Sequence, residues 1–149
     1  MHTVYLSLGS NIGDRKALMD NAVAMLGEQV GTVESISSYV ETAPWGFITD
    51  NKFLNACVKM TTTLSPRSLL EATQSIERQL GRAGKSQRGA YRDRPMDIDI
   101  LLYDDVHIND DDLLIPHPLM FEREFVMQPL SEIASPTLLE DVFRRMLKK

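Results

Sequence analysis

The sequence predicts an α+β fold, with an antiparallel sheet and helices packed on one of its faces. Three observations carry this. Segments 3–8, 33–41, 53–63 and 97–103 have the short apolar or alternating pattern of strands. Segments 15–26 and 65–80 repeat their apolar residues at helical spacing. Each helical segment falls between two strands, and the turns between them are rich in Gly, Pro, Ser, Asn and Asp.

Taken in order, Thr3 to Leu8 alternates apolar and polar residues and reads as a strand. Gly9-Ser10-Asn11-Ile12-Gly13-Asp14 has turn chemistry. Leu18, Ala22, Met25 and Leu26 mark the first helix, with Gly27 as its stop. Val33 to Glu41 is a strand of imperfect alternation, followed by a loop over 42–52. Phe53 to Thr63 puts Phe53, Asn55, Cys57 and Lys59 on one side, and Leu54, Ala56, Val58 and Met60 on the other. Ser65-Pro66 is an N-cap followed by a first-turn proline, and the helix ends at Gly81. Strand 97–103 closes the set. Strand, helix, strand, strand, helix, strand is the split arrangement called ferredoxin-like, with a four-stranded sheet. The last third has no clear place in that core. It reads as a short strand at 106–108, an extended Ile115-Pro116-His117-Pro118, and a C-terminal helical extension over 125–134 and 138–147, broken at Pro129.

A chain of 149 residues suggests one domain, 1–149. With 43% hydrophobic and 25% charged residues, it belongs with ordinary globular chains. Net charge −5 argues against a nucleic-acid partner held by bulk electrostatics. The single cysteine, Cys57, forms no internal disulfide and fits a reducing, cytoplasmic setting. No apolar run is long enough for a membrane span, and no signal-peptide pattern opens the chain.

The chemistry concentrates at Arg94-Pro95-Met96-Asp97-Ile98-Asp99-Ile100. On a strand, Asp97 and Asp99 share a face, with Cα atoms about 6.5–7 Å apart. Two carboxylates so placed repel each other and suit divalent cations that bridge phosphates. Two solvated surface aspartates are the plainer alternative. Just upstream, Arg78, Arg82, Lys85, Arg88, Arg92 and Arg94 crowd a stretch with one acid, Asp93. Guanidinium groups beside a carboxylate pair describe a polyphosphate site better than either does alone. Gly84-Lys85-Ser86 is no P-loop, because Gln79 stands where the first glycine belongs and a helix precedes it. Trp45, Phe47 and Phe53 offer faces on which a planar ligand could stack, with Asn55 at its edge. His117 lies between two prolines. Cys57 reads as inert packing, and the acids at 104–112 as a solvated turn.

In this sequence Leu6-Ser7-Leu8-Gly9-Ser10-Asn11, Phe53-Leu54-Asn55-Ala56, Gln74-Ser75-Ile76-Glu77, Gly81-Arg82, Asp97-Ile98-Asp99-Ile100-Leu101, Ile115-Pro116-His117-Pro118 and Arg123-Glu124-Phe125 follow one another in order. Together they resemble the 6-hydroxymethyl-7,8-dihydropterin pyrophosphokinases of folate biosynthesis, over nearly the whole chain. The resemblance implies transfer of the pyrophosphoryl group of ATP to the pterin hydroxymethyl oxygen, releasing AMP. It implies two magnesium ions on Asp97 and Asp99, and charge neutralisation by Arg82 and Arg94. Gln74, Glu77, Ile100, His117 and Arg123 would contact ATP. Phe53 and Phe125 would sandwich the pterin, with Thr42, Ala43, Pro44 and Asn55 at its edge and Trp45 over the pocket. The basic loop departs from the family: Gly84 replaces a second arginine, and Gly89-Ala90-Tyr91-Arg92-Asp93-Arg94 replaces Arg-Trp-Gly-Pro-Arg. Lys85, Arg88 and Arg92 are its substitutes toward ATP. Pro118 replaces a family tyrosine. A monomer is expected. The alternative is a ferredoxin-like nucleotide-binding regulatory domain without catalysis, which would have no use for paired aspartates.

Overall fold

The computed structural model describes residues 1–42, 52–81 and 95–147. Ala43, Pro44, Trp45 and Phe47 lie outside the described residues, as do Arg82, Lys85, Arg88, Arg92 and Arg94.

The chain runs β1 (His2–Ser10), α1 (Arg15–Gln29), β2 (Gly31–Ile36), β3 (Val40–Thr42), β4 (Phe53–Thr62), α2 (Pro66–Gln79) and β5 (Asp97–Tyr103). A small hairpin, β6 (Ile108–Asn109) and β7 (Leu114–Ile115), is followed by a 3-10 turn at Met120–Glu122, α3 (Glu124–Ile133) and α4 (Pro136–Leu147). The main sheet is antiparallel in the order β2-β4-β1-β5, with β3 also on β4. The predicted core is therefore present, with three differences inside it.

First, the strand expected over 33–41 is two strands. β2 pairs with the second half of β4 and β3 with its start. Between them, Ser37 uses its hydroxyl oxygen to accept the Cys57 N–H at 2.8 Å, while its own N–H donates to the Cys57 carbonyl. That side-chain bond replaces a ladder bond and breaks the alternation. The sheet thus has five strands rather than four. Second, Gly9 and Ser10 are not turn residues but the end of β1. The turn is Asn11 to Asp14, where Gly13 takes φ +80° and the Asp14 carboxylate caps α1 through the Ala17 N–H. Third, Gly27 does not stop α1, which runs to Gln29 with the Val30 N–H closing on the Leu26 carbonyl. Glycine weakens a helix by about 1 kcal/mol but does not terminate it unless a positive φ is needed.

One face of the sheet packs Val4, Leu6, Leu8, Ala56, Val58, Met60, Ile98 and Ile100 against Met19, Ala22 and Leu26 of α1 and Leu69 and Ile76 of α2. The last third, which has no clear place in the core on sequence, covers the opposite face. There Tyr5, Cys57, Leu101 and Leu102 meet Met120, Val126, Leu130, Ala134 and Val142. A strand buried on both faces reads as a continuous apolar run, and all of β1 from Val4 onward is buried. Pro129 does not break α3, because Val126, Pro129 and Leu130 are buried on one side and hold the turn despite the missing N–H.

β1 and β5 change register between Tyr5 and Leu6, which face Leu102 and Ile100 respectively. Leu101 is the extra residue, a bulge. It puts both Leu101 and Leu102 on the α3 side, while before it plain alternation leaves Ile98 and Ile100 facing α1 and α2 and Asp97 and Asp99 facing the other way. No helix among the described residues is long and apolar enough to cross a membrane.

Candidate active site

Three adjacent strands assemble the site on the α3 side of the sheet. Gly9 of β1 faces Asn55 of β4 on one flank and Asp97 of β5 on the other. One row along, Ser7 faces Cys57 and Asp99. The expected two faces of 53–60 are present, and on β5 Asp97 and Asp99 are half-buried where the alternate Ile98 and Ile100 are buried. The strand spacing puts Asn55 and Asp97 about 9–10 Å apart, with Gly9 between them. A Cβ on Gly9 would lie 3.1 Å from Asn55 Oδ1 and 3.4 Å from Phe53 Cδ1. Glycine leaves that span of floor open. The sequence, in which Gly9 reads as a turn residue, carries no sign of this role.

Asn55 is buried, 2% exposed. Its Nδ2 donates to Thr42 Oγ1 at 2.5 Å, across the β3–β4 pair. That bond ties the Asn55 side chain to β3, and the amide Oδ1 lies toward Gly9. Thr42 itself pairs with Phe53. So Thr42, Phe53 and Asn55, expected at the pterin, do come together.

Arg123 and Phe125 enter from the start of α3. The Arg123 guanidinium lies 5.5 Å from the centroid of the Phe125 ring. Its Nη1 is 4.0 Å from Asp99 Oδ2, with the arginine side chain 11% and the aspartate 27% exposed. At that distance the arginine contributes charge rather than a hydrogen bond. It stands between the aromatic side of the site and the carboxylate side. Cys57 is fully buried below, and burial, with the Glu132 charge adding, pushes its thiol up to about 12. It is packing, as expected, and no nucleophile.

A second cleft, of about 260 Å³, lies along β5 and is lined by Gln74, Asp99, Ile100, Leu113 and His117 among others. It gathers three of the expected ATP contacts. His117 is fixed there: its N–H donates to the Leu101 carbonyl, and its Nδ1 accepts the Leu119 N–H at 3.2 Å. An accepting Nδ1 puts the neutral ring's proton on Nε2. Glu77 is 3% exposed, and its Oε2 accepts the Ile98 N–H at 2.7 Å. It anchors the strand between the two aspartates. The hairpin wall of the cleft is braced by Arg67, whose Nη1 and Nη2 donate to Asp112 and Asp110, each at 2.6 Å. Those acids, expected as a solvated turn, thus pair with an arginine remote in sequence.

The donor set suits magnesium. Asp97 and Asp99 supply hard oxygens on one partly exposed face, and the described residues hold no group of three or more His, Cys, Asp or Glu around an ion. Magnesium takes one or two carboxylates and completes its shell with water and substrate phosphates. A structural zinc site would need four protein ligands.

The 7,8-dihydro-6-hydroxymethylpterin-pyrophosphokinase family model matches residues 5–135. Similar chains include 2-amino-4-hydroxy-6-hydroxymethyldihydropteridine pyrophosphokinases of Porphyromonas gingivalis, 49% identical over 90% of this chain and 92% of that one, and Bacillus subtilis, 45% identical over 87% and 76%. That of Aquifex aeolicus is 40% identical over 100% of this chain and 90% of its own. Among solved structures, an HPPK-DHPS complex with substrates superposes with TM-score 0.69 at 15% identity, over 89% of this chain and 40% of that one. At that identity it supports the fold alone. The ligand-sensing alternative is not favoured by any of these relatives. The chain belongs to the 7,8-dihydro-6-hydroxymethylpterin-pyrophosphokinase family, whose reaction carries a pyrophosphoryl group from ATP to hydroxymethyldihydropterin in folate synthesis.

Proposed function

We propose that the Gly9 row is the axis of that transfer, with the pterin on its Asn55 side and the phosphates on its Asp97 side. The observation that supports this is the register, which sets an amide, an open glycine and a carboxylate side by side on one face. Phe53 and Phe125 hold the pterin ring between them. Asn55 bonds its edge, and Thr42, Ala43, Pro44 and Trp45 complete that side. Asp97 and Asp99 hold two magnesium ions. Magnesium supplies neutralising charge to the phosphate oxygens and Lewis acidity at the reacting end.

Gln74, Ile100 and His117 receive the nucleotide in the cleft along β5, with His117 offering its Nε2–H. Arg123 reaches from the aromatic side to the carboxylates and stabilises negative charge between them. Arg82 and Arg94 neutralise charge that develops on the transferred group, and Lys85, Arg88 and Arg92 serve the ATP phosphates. Glu77 acts by holding the metal strand through Ile98, as well as at the ATP side. The protein works as a cytoplasmic monomer.

Calorimetry on Asn55→Ala tests the assignment. The lost partner should weaken pterin binding by about 1–3 kcal/mol and leave ATP affinity unchanged. Equal losses for the two ligands would contradict it.

A further inference from the structure

We infer that Arg15 is a positioning residue for the pterin side, bracing β3 against the start of β4 from outside the site. The inference rests on the pterin reading of Thr42, Phe53 and Asn55. Arg15 opens α1, and its guanidinium forks between two acceptors. Nη1 donates to the Lys52 carbonyl at 2.8 Å, and Nη2 to Glu41 Oε2 at 2.8 Å. Glu41 is in β3 beside Thr42, and Lys52 directly precedes Phe53. The arginine therefore ties together the two chain segments that present Thr42 and Phe53.

The brace has a physical purpose. β3 has three residues and pairs only with Phe53, Leu54 and Asn55. So short a strand gains little from its ladder. Its upstream neighbour β2 is separated from it by the Ser37 irregularity. Yet Thr42 must stay in place, because its hydroxyl is hydrogen-bonded to the Asn55 amide and holds that side chain beside the Gly9 gap. Arg15 is itself placed by the Gly13 turn and the Asp14 cap, directly after the strand that carries Gly9. One rigid fork thus references β3 and β4 to the end of β1. A guanidinium reaches two acceptors in fixed geometry, whereas an ammonium would act as a single point charge. The same bond holds the Glu41 carboxyl below its usual range.

The test is steady-state kinetics on Arg15→Met, Arg15→Lys and Glu41→Ala, varying each substrate with the other saturating. Arg15→Met should raise KM for the pterin about tenfold or more, as misplaced binding groups do. Its KM for ATP should stay within about twofold. Arg15→Lys should recover part of the loss, and Glu41→Ala should shift the same constant by less. A rise in both KM values alike, or in neither, overturns the brace. Asn55→Ala is run alongside. If it raises the pterin KM and the Arg15 variants do not, the brace alone is wrong. If it too leaves the pterin KM unchanged, the pterin reading beneath both is wrong. Should Arg15→Met fail to fold, Arg15→Lys and Glu41→Ala make the same comparison, and unchanged pterin KM in both overturns the inference.

Discussion

Gly9→Ala should weaken pterin binding and leave ATP binding intact. The new methyl would stand 3.1 Å from Asn55 Oδ1 and 3.4 Å from Phe53 Cδ1, so at least the amide must give way. Asn55 has little freedom to do so, because Thr42 holds its Nδ2. Moving it strains or breaks a hydrogen bond worth about 1 kcal/mol. Leaving it in place overpacks the floor, which costs about 1–3 kcal/mol. Either way the ligand edge loses its place, and pterin affinity should fall about 5- to 150-fold. Gly9 is not among the glycines of positive φ, so alanine adds no backbone strain there. The packing cost alone should then lower the Tm, by about 2–4 °C for each kcal/mol. Titration of the pterin with a non-hydrolysable ATP analogue saturating measures the loss, and titration of the analogue alone provides the control. Wild-type pterin affinity, or parallel loss of both ligands, would refute the open-floor reasoning.

Further expectations follow from single contacts. Asp97→Ala and Asp99→Ala should each abolish turnover in a folded protein, and Asp99→Ala should also lose some thermal stability without metal because Arg123 loses the charge beside it; turnover near wild type in either would contradict the metal assignment. Glu77→Ala leaves the Ile98 N–H without its acceptor, and thermal melting should report a loss of about 1–3 kcal/mol, which Glu77→Gln should largely avoid. Cys57→Ala should keep activity, and the native thiol should resist alkylation at pH 8.5 until the chain unfolds. Since the folded thiol is raised to about 12, its contribution to stability is intact below the unfolded value near 8.5 and is lost progressively as pH rises from there to about 12. Denaturant melts between neutral and strongly alkaline pH would show whether Cys57→Ala removes that slope.

Local pattern made much of this site legible. Alternation alone put Asp97 with Asp99 and Asn55 with Phe53, because side-chain direction on a strand has a period of two. What alternation does not encode is which row of one strand meets which row of the next. Gly9 therefore read as part of a turn, although its pairing with both Asn55 and Asp97 makes it the centre of the site. Arg15 and Arg67 escaped for a related reason: their acceptors are distant in sequence, and a lone arginine at a helix start carries no local signal. The C-terminal helices have clear apolar faces, but nothing local says that these faces close the second side of the sheet. The β2–β3 break was hidden because a serine hydroxyl stood in for a backbone group.

The central claim is that this chain moves two phosphates in one step. Incubation with ATP, magnesium and 6-hydroxymethyl-7,8-dihydropterin, followed by separation of the nucleotides, measures it directly. The account predicts AMP, formed one for one with the pterin diphosphate and absent when the pterin is omitted. ADP as the nucleotide product, or pterin recovered unchanged, would contradict it.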